Sequence, residues 1–435
     1  MSSTSTIHCC RPGWKRFFWL VSVAALLQLC GCAGLGSRVP GRQVPDQAAL
    51  STAEKELPDQ KLLDVSIKVF DPGKLPEDEN ARRGLSPEIR QAEARFIPIH
   101  LKYTMQRSGY WGLVRVVPDD DNGTEVLVRG KIRYSDGKSL SVDIEAVDAR
   151  NVVWFRKTYA ETIKHHRQKQ TELEKKDLFQ ELFNTIANDL ARCRSRLSPA
   201  EIKEIEAVAE LRYAEAMAPE AFAGYLKKDD DGTISIERLP AADDPMMKRI
   251  RTIHDRDDML VDVINGYYEA YYHDLWQPYN DWRHFRSDEL ETMQKLERQA
   301  LTRQVLGIAA IVGAIAISAV GNSDTRAATS SLRDVMIMGG AAGIYSGAQK
   351  REEATINKEA IEELGASFSS EAKPLVIEVE GETVRLTGSA EQQYTHWREL
   401  LRQIYATETG LLTADPSLQL KKPGEDPLTA PVDKQ

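Results

Sequence analysis

Cysteine is scarce in this chain: five residues in 435, three of which (Cys9, Cys10, Cys30) crowd into the first thirty positions. Also missing are the short motifs that carry most common chemistries. There is no GxSxG, no P-loop, no GxGxxG after a strand and no HExxH. Positive charge is outweighed, with 57 Lys and Arg against 66 Asp and Glu and a formal net charge of −9. That balance argues against a nucleic-acid partner and against electrostatic docking on anionic headgroups. No apolar run reaches the roughly 20 residues of an ordinary membrane-spanning helix. Two aspartate-rich turns, 119–123 and 229–232, fail as twelve-residue calcium loops, because their twelfth positions are Arg129 and Arg238 where a chelating acid is required. The histidines, His165 and His166 included, show no zinc spacing. Cys193 lies in a helical stretch beside Arg192 and Arg194 and reads as a partly buried residue rather than a nucleophile. The sequence therefore predicts a protein that is not an enzyme and needs no cofactor.

What is present begins at the N-terminus. Lys15 and Arg16 precede an apolar run from Phe17 to Leu29, and a small residue follows, the layout of a secretory signal. Leu29-Cys30-Gly31-Cys32 resembles the bacterial lipoprotein lipobox. The resemblance implies that the Cys32 thiol takes a diacylglyceryl group, that residues 1–31 are removed, and that the new N-terminus is acylated. Ala33, rather than Asp, in the next position implies sorting to the outer membrane, with the chain on the periplasmic face. The mature chain then keeps only Cys32 and Cys193, so an intramolecular disulfide is excluded, and the loss of Arg11, Lys15 and Arg16 takes its net charge to −12. Several acyl chains give a stable anchor.

Residues 32–61, with Pro40, Pro45 and Pro58 and little periodicity, read as a flexible tether. Strands are expected at 62–71, 111–117, 124–134, 138–149 and 151–159. Ser86-Pro87-Glu88 opens a helix that is interrupted or kinked at Pro98 and ends at Gly109, and a second helix covers 172–196. Ser135-Asp136-Gly137 closes a hairpin. The alternation of Leu140, Val142, Ile144 and Ala146 slips at Val147, as a bulge would make it. We take 62–197 as an α/β sandwich of order β-α-β-β-β-α within an α+β protein. Gly130, Val147-Asp148-Ala149 and Trp154 resemble the pattern of the periplasmic domain shared by the curli secretion lipoprotein CsgG, the N-terminal domain of TolB and the penicillin-binding-protein activator LpoB. Asn151 stands where that family usually has a turn glycine, and Val69-Phe70-Asp71 replaces its "lPF" signature. The resemblance implies a fold and a class of envelope lipoproteins, not an activity.

Residues 198–286 read as helical with a short hairpin. Ser198-Pro199-Ala200-Glu201 starts one helix, residues 229–238 turn, and a helix from Pro245 is stopped by Pro278. Tyr268, Tyr272 and Trp276 on that helix suit either a core stripe or a glycan-stacking or partner surface. Residues 287–365 form a Gly/Ala-rich helical hairpin whose apolar arms, Val305–Gly321 and Val335–Ala348, are about 25 and 21 Å long. Gly339, Gly343 and Gly347 on one arm, with Ala310, Gly313 and Ala314 on the other, allow close backbone approach. Partial bilayer insertion by 305–348 and self-association into a homo-oligomer both stand. Residues 366–412 form a small α+β module in which "VEGETVRLTGSAEQ" resembles the hairpin of BON domains, and 413–435 is a disordered tail. The expected role is a non-catalytic scaffold or accessory in envelope assembly or surface-structure secretion, with envelope proteins as partners. The alternatives are a regulator of peptidoglycan synthesis like LpoB, or a glycan- or small-molecule-binding lipoprotein.

Overall fold

The first helix, α1 (Pro87–Ser108), is set by its ends. The Ser86 side chain accepts the Ile89 N–H, Pro87 occupies the first turn, and Gly109 closes the helix in the left-handed region with φ 70°. Pro98 lies inside it without ending it. A proline cannot donate to the carbonyl four residues back, and that carbonyl, Ala94 O, instead accepts the Phe70 N–H from the neighbouring sheet at 3.0 Å. The helix thus gives one internal bond to the packing between layers.

In this computed structural model the described residues are 39–58, 61–77, 82, 85–120, 123–163, 176–318, 355–366, 368, 375–379 and 382–409. Six strands make the main sheet: β1 (Arg42–Gln43), β2 (Val65–Lys68), β3 (Val114–Val117), β4 (Val126–Ser135), β5 (Ser139–Asp148) and β6 (Val153–Thr162). Their spatial order is β1-β6-β5-β4-β2-β3. β2 pairs in parallel with both β3 and β4, and β4, β5 and β6 form an antiparallel meander. From β2 the order is β-α-β-β-β-β-α: each of the five expected strands is present, one more than the order β-α-β-β-β-α counts, and β1 is added beyond β6. α2 (Gln180–Arg194) closes this region.

Turn chemistry sets the meander. Asp136 accepts the backbone N–H groups of Lys138 and Ser139, and Gly137 takes φ 87°. Asn151 is the one described non-glycine residue with positive φ, 62°, and its amide donates to Gly232 O. Asparagine tolerates that conformation better than most residues. The register slips between Ala146 and Val147, where the alternation of the sequence also breaks. Gly130 leaves room for the buried Phe70 ring, which a Cβ there would meet at 2.4 Å.

One face of the sheet is apolar. Val65, Ile67, Val126, Val128, Ile132, Val142, Ile144 and Ala146 pack beneath α1 and α2 as a single core. The other face carries charge in register. Arg129 and Arg156 both reach Glu145, Arg133 pairs with Asp143, and Lys131 with Asp71.

The tether expectation is corrected over its described part. Residues 40–58 are strapped to the body: β1 pairs with Tyr159 and Ala160, Val44 N–H bonds Ala160 O, and Asn184 and Asn188 on α2 hold Ala48 O and Ala49 O at 2.7 and 2.8 Å. Asparagine amides satisfy an extended backbone that has little apolar surface of its own.

Beyond α2 come α3 (Pro199–Met217), whose capping box between Ser198 and Glu201 is complete, the short α4 (Pro219–Phe222), and the hairpin of β7 (Leu226–Lys228) and β8 (Ile234–Ile236). The next helix corrects a second expectation. α5 runs unbroken through Pro278 from Pro245 to Ser318, 74 residues. Ile264, Tyr268, Tyr271, Leu275, Tyr279 and Trp282 are all buried on one face. Burial of Tyr279 and Trp282 outweighs the lost hydrogen bond, since an interior proline costs about 3 kcal/mol and a fully buried large side chain contributes a similar amount. α5 also covers the β3 edge, where Asn265 accepts the Val116 N–H and Arg115 pairs with Asp258 and Asp262. The C-terminal module consists of β9 (Leu375–Val379), β10 (Glu382–Leu386) and α6 (Ala390–Thr409). α6 packs on α5, with Trp397 Nε1 donating to the buried Asp257. The protein is accordingly α+β, and the described residues from Pro40 onward form one compact unit.

Candidate functional site

Where α1, α2 and α5 meet, a polar cluster is closed off from solvent. Asp177, at the entry to α2, caps the Phe179 N–H at 2.8 Å and forms a two-pronged ion pair with Arg283 of α5. The two side chains are 0% and 1% exposed. The guanidinium also lies 4.3 Å from the Tyr279 ring centroid, 5.5 Å from Phe179 and 5.7 Å from Phe96. Burial alone would raise the Asp177 carboxyl, but the Arg283 charge beside it holds it below the usual carboxylate range. In the adjoining layer His100 is buried, which keeps its imidazole pKa low and the ring neutral. That assigns Nε2–H as donor to Gln180 Oε1 at 3.0 Å and Nδ1 as acceptor from Tyr272 OH at 2.8 Å. Glu93 accepts from Tyr279 OH and Ser135 Oγ, which ties α1 to both α5 and the β4–β5 turn.

This arrangement fastens a long helix to a sheet. Two buried ions gain little over an apolar pair of the same shape, but each strands the other if removed. With no solvent path to Arg283 or Asp177, the cluster acts by fixing α5 rather than by touching a ligand.

The tyrosine surface named from the sequence is part of this packing. Tyr268 and Tyr272 are buried, and the Tyr268 hydroxyl donates to Glu391 of α6 at 3.2 Å. Trp276 is half-buried, with its ring 5.9 Å from those of Phe96 and His100. The core stripe is therefore the outcome for Tyr268 and Tyr272, because their rings complete the interface between α1, α5 and α6 and leave no face for stacking. Ala310, Gly313 and Ala314 lie on the last turns of α5. Cys32, Gly339, Gly343 and Gly347 lie outside the described residues, as does the 319–354 part of the hairpin. No helix among the described residues is long and apolar enough to cross a membrane. Cys193 is half-buried, and burial pushes its thiol up, away from reactivity. Asp119 and Asp120 of the 119–123 turn serve as partners for Lys68 and Arg129.

Sequence reasoning passed over Arg283, Asp177 and Glu93, and weighed His100 only as one of the scattered histidines without zinc spacing. One signal was available: apolar spacing continues across Pro278, from Leu275 to Tyr279 and Trp282, as it would on an unbroken helix.

Two part-buried carboxylates carry raised pKa values. Glu125, which accepts the Asp64 N–H at 2.6 Å, is pushed up to about 8 by burial and then by the nearby Asp64 and Glu206 charges. Glu161, which accepts the Leu182 N–H, is pushed up to about 8 by burial and then by Glu181. Both bind a proton more tightly folded than unfolded, so their contribution to stability is complete below about pH 4.5 and is lost as pH rises through about 8. Unfolding free energy from denaturant titration should fall between about pH 5 and about pH 8, by on the order of 1–3 kcal/mol after allowance for partial exposure. The Glu125→Gln/Glu161→Gln protein should show a flatter profile and higher stability at the alkaline end. An unchanged slope in that variant would rule the assignment out.

No family model matches the chain, and comparison with curated proteins finds no similar sequence.

Proposed function

We propose that this chain is an outer-membrane lipoprotein, anchored through Cys32 on the periplasmic face, that serves as a non-catalytic scaffold or accessory in envelope assembly or secretion of a surface structure. The observation that carries the reading is α5. One helix leaves the buried Arg283–Asp177 pair and continues to Ser318, so the apolar stretch that starts at Val305 is mounted on a rigid stem. Of its 74 residues, those past Arg283 (284–318) extend about 50 Å, well beyond what its own body needs for a core. The Leu29-Cys30-Gly31-Cys32 sequence supports the anchor. The strap at residues 40–58 weighs against a regulator that reaches far across the periplasm, and the burial of Tyr268 and Tyr272 weighs against glycan stacking.

Extraction from the native membrane in mild detergent, followed by mass measurement, tests the proposal. The N-terminal peptide should begin at an acylated Cys32, and the protein should run as a defined oligomer. Gly343→Leu should reduce that oligomer to smaller species. A monomer indifferent to Gly343→Leu would contradict the scaffold reading.

A further inference from the structure

β6 is 10 residues long, but on its outer side β1 pairs with Tyr159 and Ala160 alone. The strand does not end there; the strap leaves it. Gly41 turns with φ 118°, where a Cβ would meet Thr158, Ala160 and Ser141, and the Ser141 hydroxyl donates to Pro40 O across the open sheet face. Residues 153–158 therefore have β5 on one side and, among the described residues, no strand on the other. We infer that this edge accepts an extended acidic segment of a partner protein as an added strand. It is present whether or not Cys32 is acylated. Ala160 O takes the Val44 N–H and so points away from β5. Alternation along the strand turns the N–H and C=O groups of Thr158 and Arg156 the same way. Six residues offer about 20 Å of edge. In this mode of recognition main-chain hydrogen bonds supply the affinity and side chains choose the partner.

The side chains along this edge select against a second copy of the chain. Arg156 and Lys157 are 69% and 46% exposed. Two copies joined edge to edge would crowd these cations against their own counterparts, which is destabilising. An acidic strand reverses the sign. Arg156 shares Glu145 with Arg129, and Lys157 shares Asp189 with Arg192, so each of these carboxylates already serves two cations. Arg156 and Thr158 border a depression of about 730 Å³ on the open face, together with Arg129, Arg133, Asp143 and Glu145. Its two carboxylates are recessed, Asp143 at 29% and Glu145 at 24% exposed, so an incoming acid beside Arg156 meets guanidinium first. Next to it the buried Phe155 and the exposed Val153 call for an apolar partner residue. Net charge does not drive the pairing, because the strap adds the exposed Glu54 and Glu56. Strand hydrogen bonds hold the partner, and Arg156 and Lys157 set which sequence it has.

The test uses the full chain in mild detergent and two short peptides that read the same in both directions. One has a central pair of glutamates flanked by valine and threonine; the other has lysines in their place. Binding is followed by the anisotropy of a label on the peptide, and main-chain amide exchange is read with and without it. The glutamate peptide should bind roughly tenfold tighter than the lysine peptide, as two cross-strand charge pairs of each sign would make it. Arg156→Glu/Lys157→Glu should invert that preference. In the parent protein the Arg156 and Thr158 amides should exchange several-fold more slowly with the glutamate peptide bound, a result that stands even if the variant loses its fold. Failure of either peptide to bind, equal binding of the two, or binding that leaves those amides unprotected would overturn the added strand.

Discussion

Arg283→Met should cost about 3–5 kcal/mol in urea unfolding, because it leaves the Asp177 carboxylate buried without a countercharge. Asp177 is fully buried, and its carboxylate is held in its charged form by the guanidinium it would lose. The measured loss should shrink at low pH, where Asp177 can protonate. A second change makes the prediction sharper. Asp177→Leu/Arg283→Met replaces the pair with apolar side chains of similar size, and such replacements are often neutral or better. The double variant should recover most of the loss, giving a coupling of several kcal/mol between residues 106 positions apart in sequence. Additive losses would mean that the two side chains act separately and that the clamp is not a unit.

Phe96→Ala should cost a similar amount, about 3–5 kcal/mol, for a different reason. The ring is fully buried at the centre of a stack, 4.6 Å from Tyr272, 4.7 Å from Tyr279 and 5.9 Å from Trp276, with the Arg283 guanidinium over its face. Its removal leaves a cavity bounded by one helix on each side, and neither α1 nor α5 can close it without moving the ion pair. Near-ultraviolet circular dichroism should lose tyrosine and tryptophan signal before the far-ultraviolet helix signal falls. A loss below about 1 kcal/mol, typical of a surface site, would show that the α1–α5 interface is not part of the core.

Local chemistry was legible in the sequence because its causes are local. Ser86 and Gly109 end α1, Ser198 and Glu201 cap α3, Asp136-Gly137 turns the hairpin, and the slip at Val147 appears as a break in alternation. The α+β class follows from those elements. Long-range pairing was not legible. Asp177 and Arg283 are unremarkable in a chain with 28% charged residues, and only the fold brings them together. Pro278 misled because helix-breaking is a local rule, while the continuation of α5 is settled by what Tyr279 and Trp282 bury against. The strap at 40–58 looks like linker because it is held by the asparagines of α2 and the β6 backbone rather than by apolar side chains of its own. The tyrosine stripe was readable as helical spacing, but whether the rings faced a ligand or another helix depended on α1 and α6.

If the clamp makes body and stem one unit, force or binding at the apolar end of α5 is transmitted to the sheet without a hinge at Pro278. That follows from cooperativity, which amide exchange measures segment by segment. Native-state hydrogen exchange of the acylated protein, followed in increasing denaturant, tests it most directly. Amides of α5 between Ile264 and Arg283 should open with the same free energy as those of β4 and β5, and in Arg283→Met the helix should open well before the strands. Exchange of this stretch of α5 independent of the sheet in the parent protein would contradict the account.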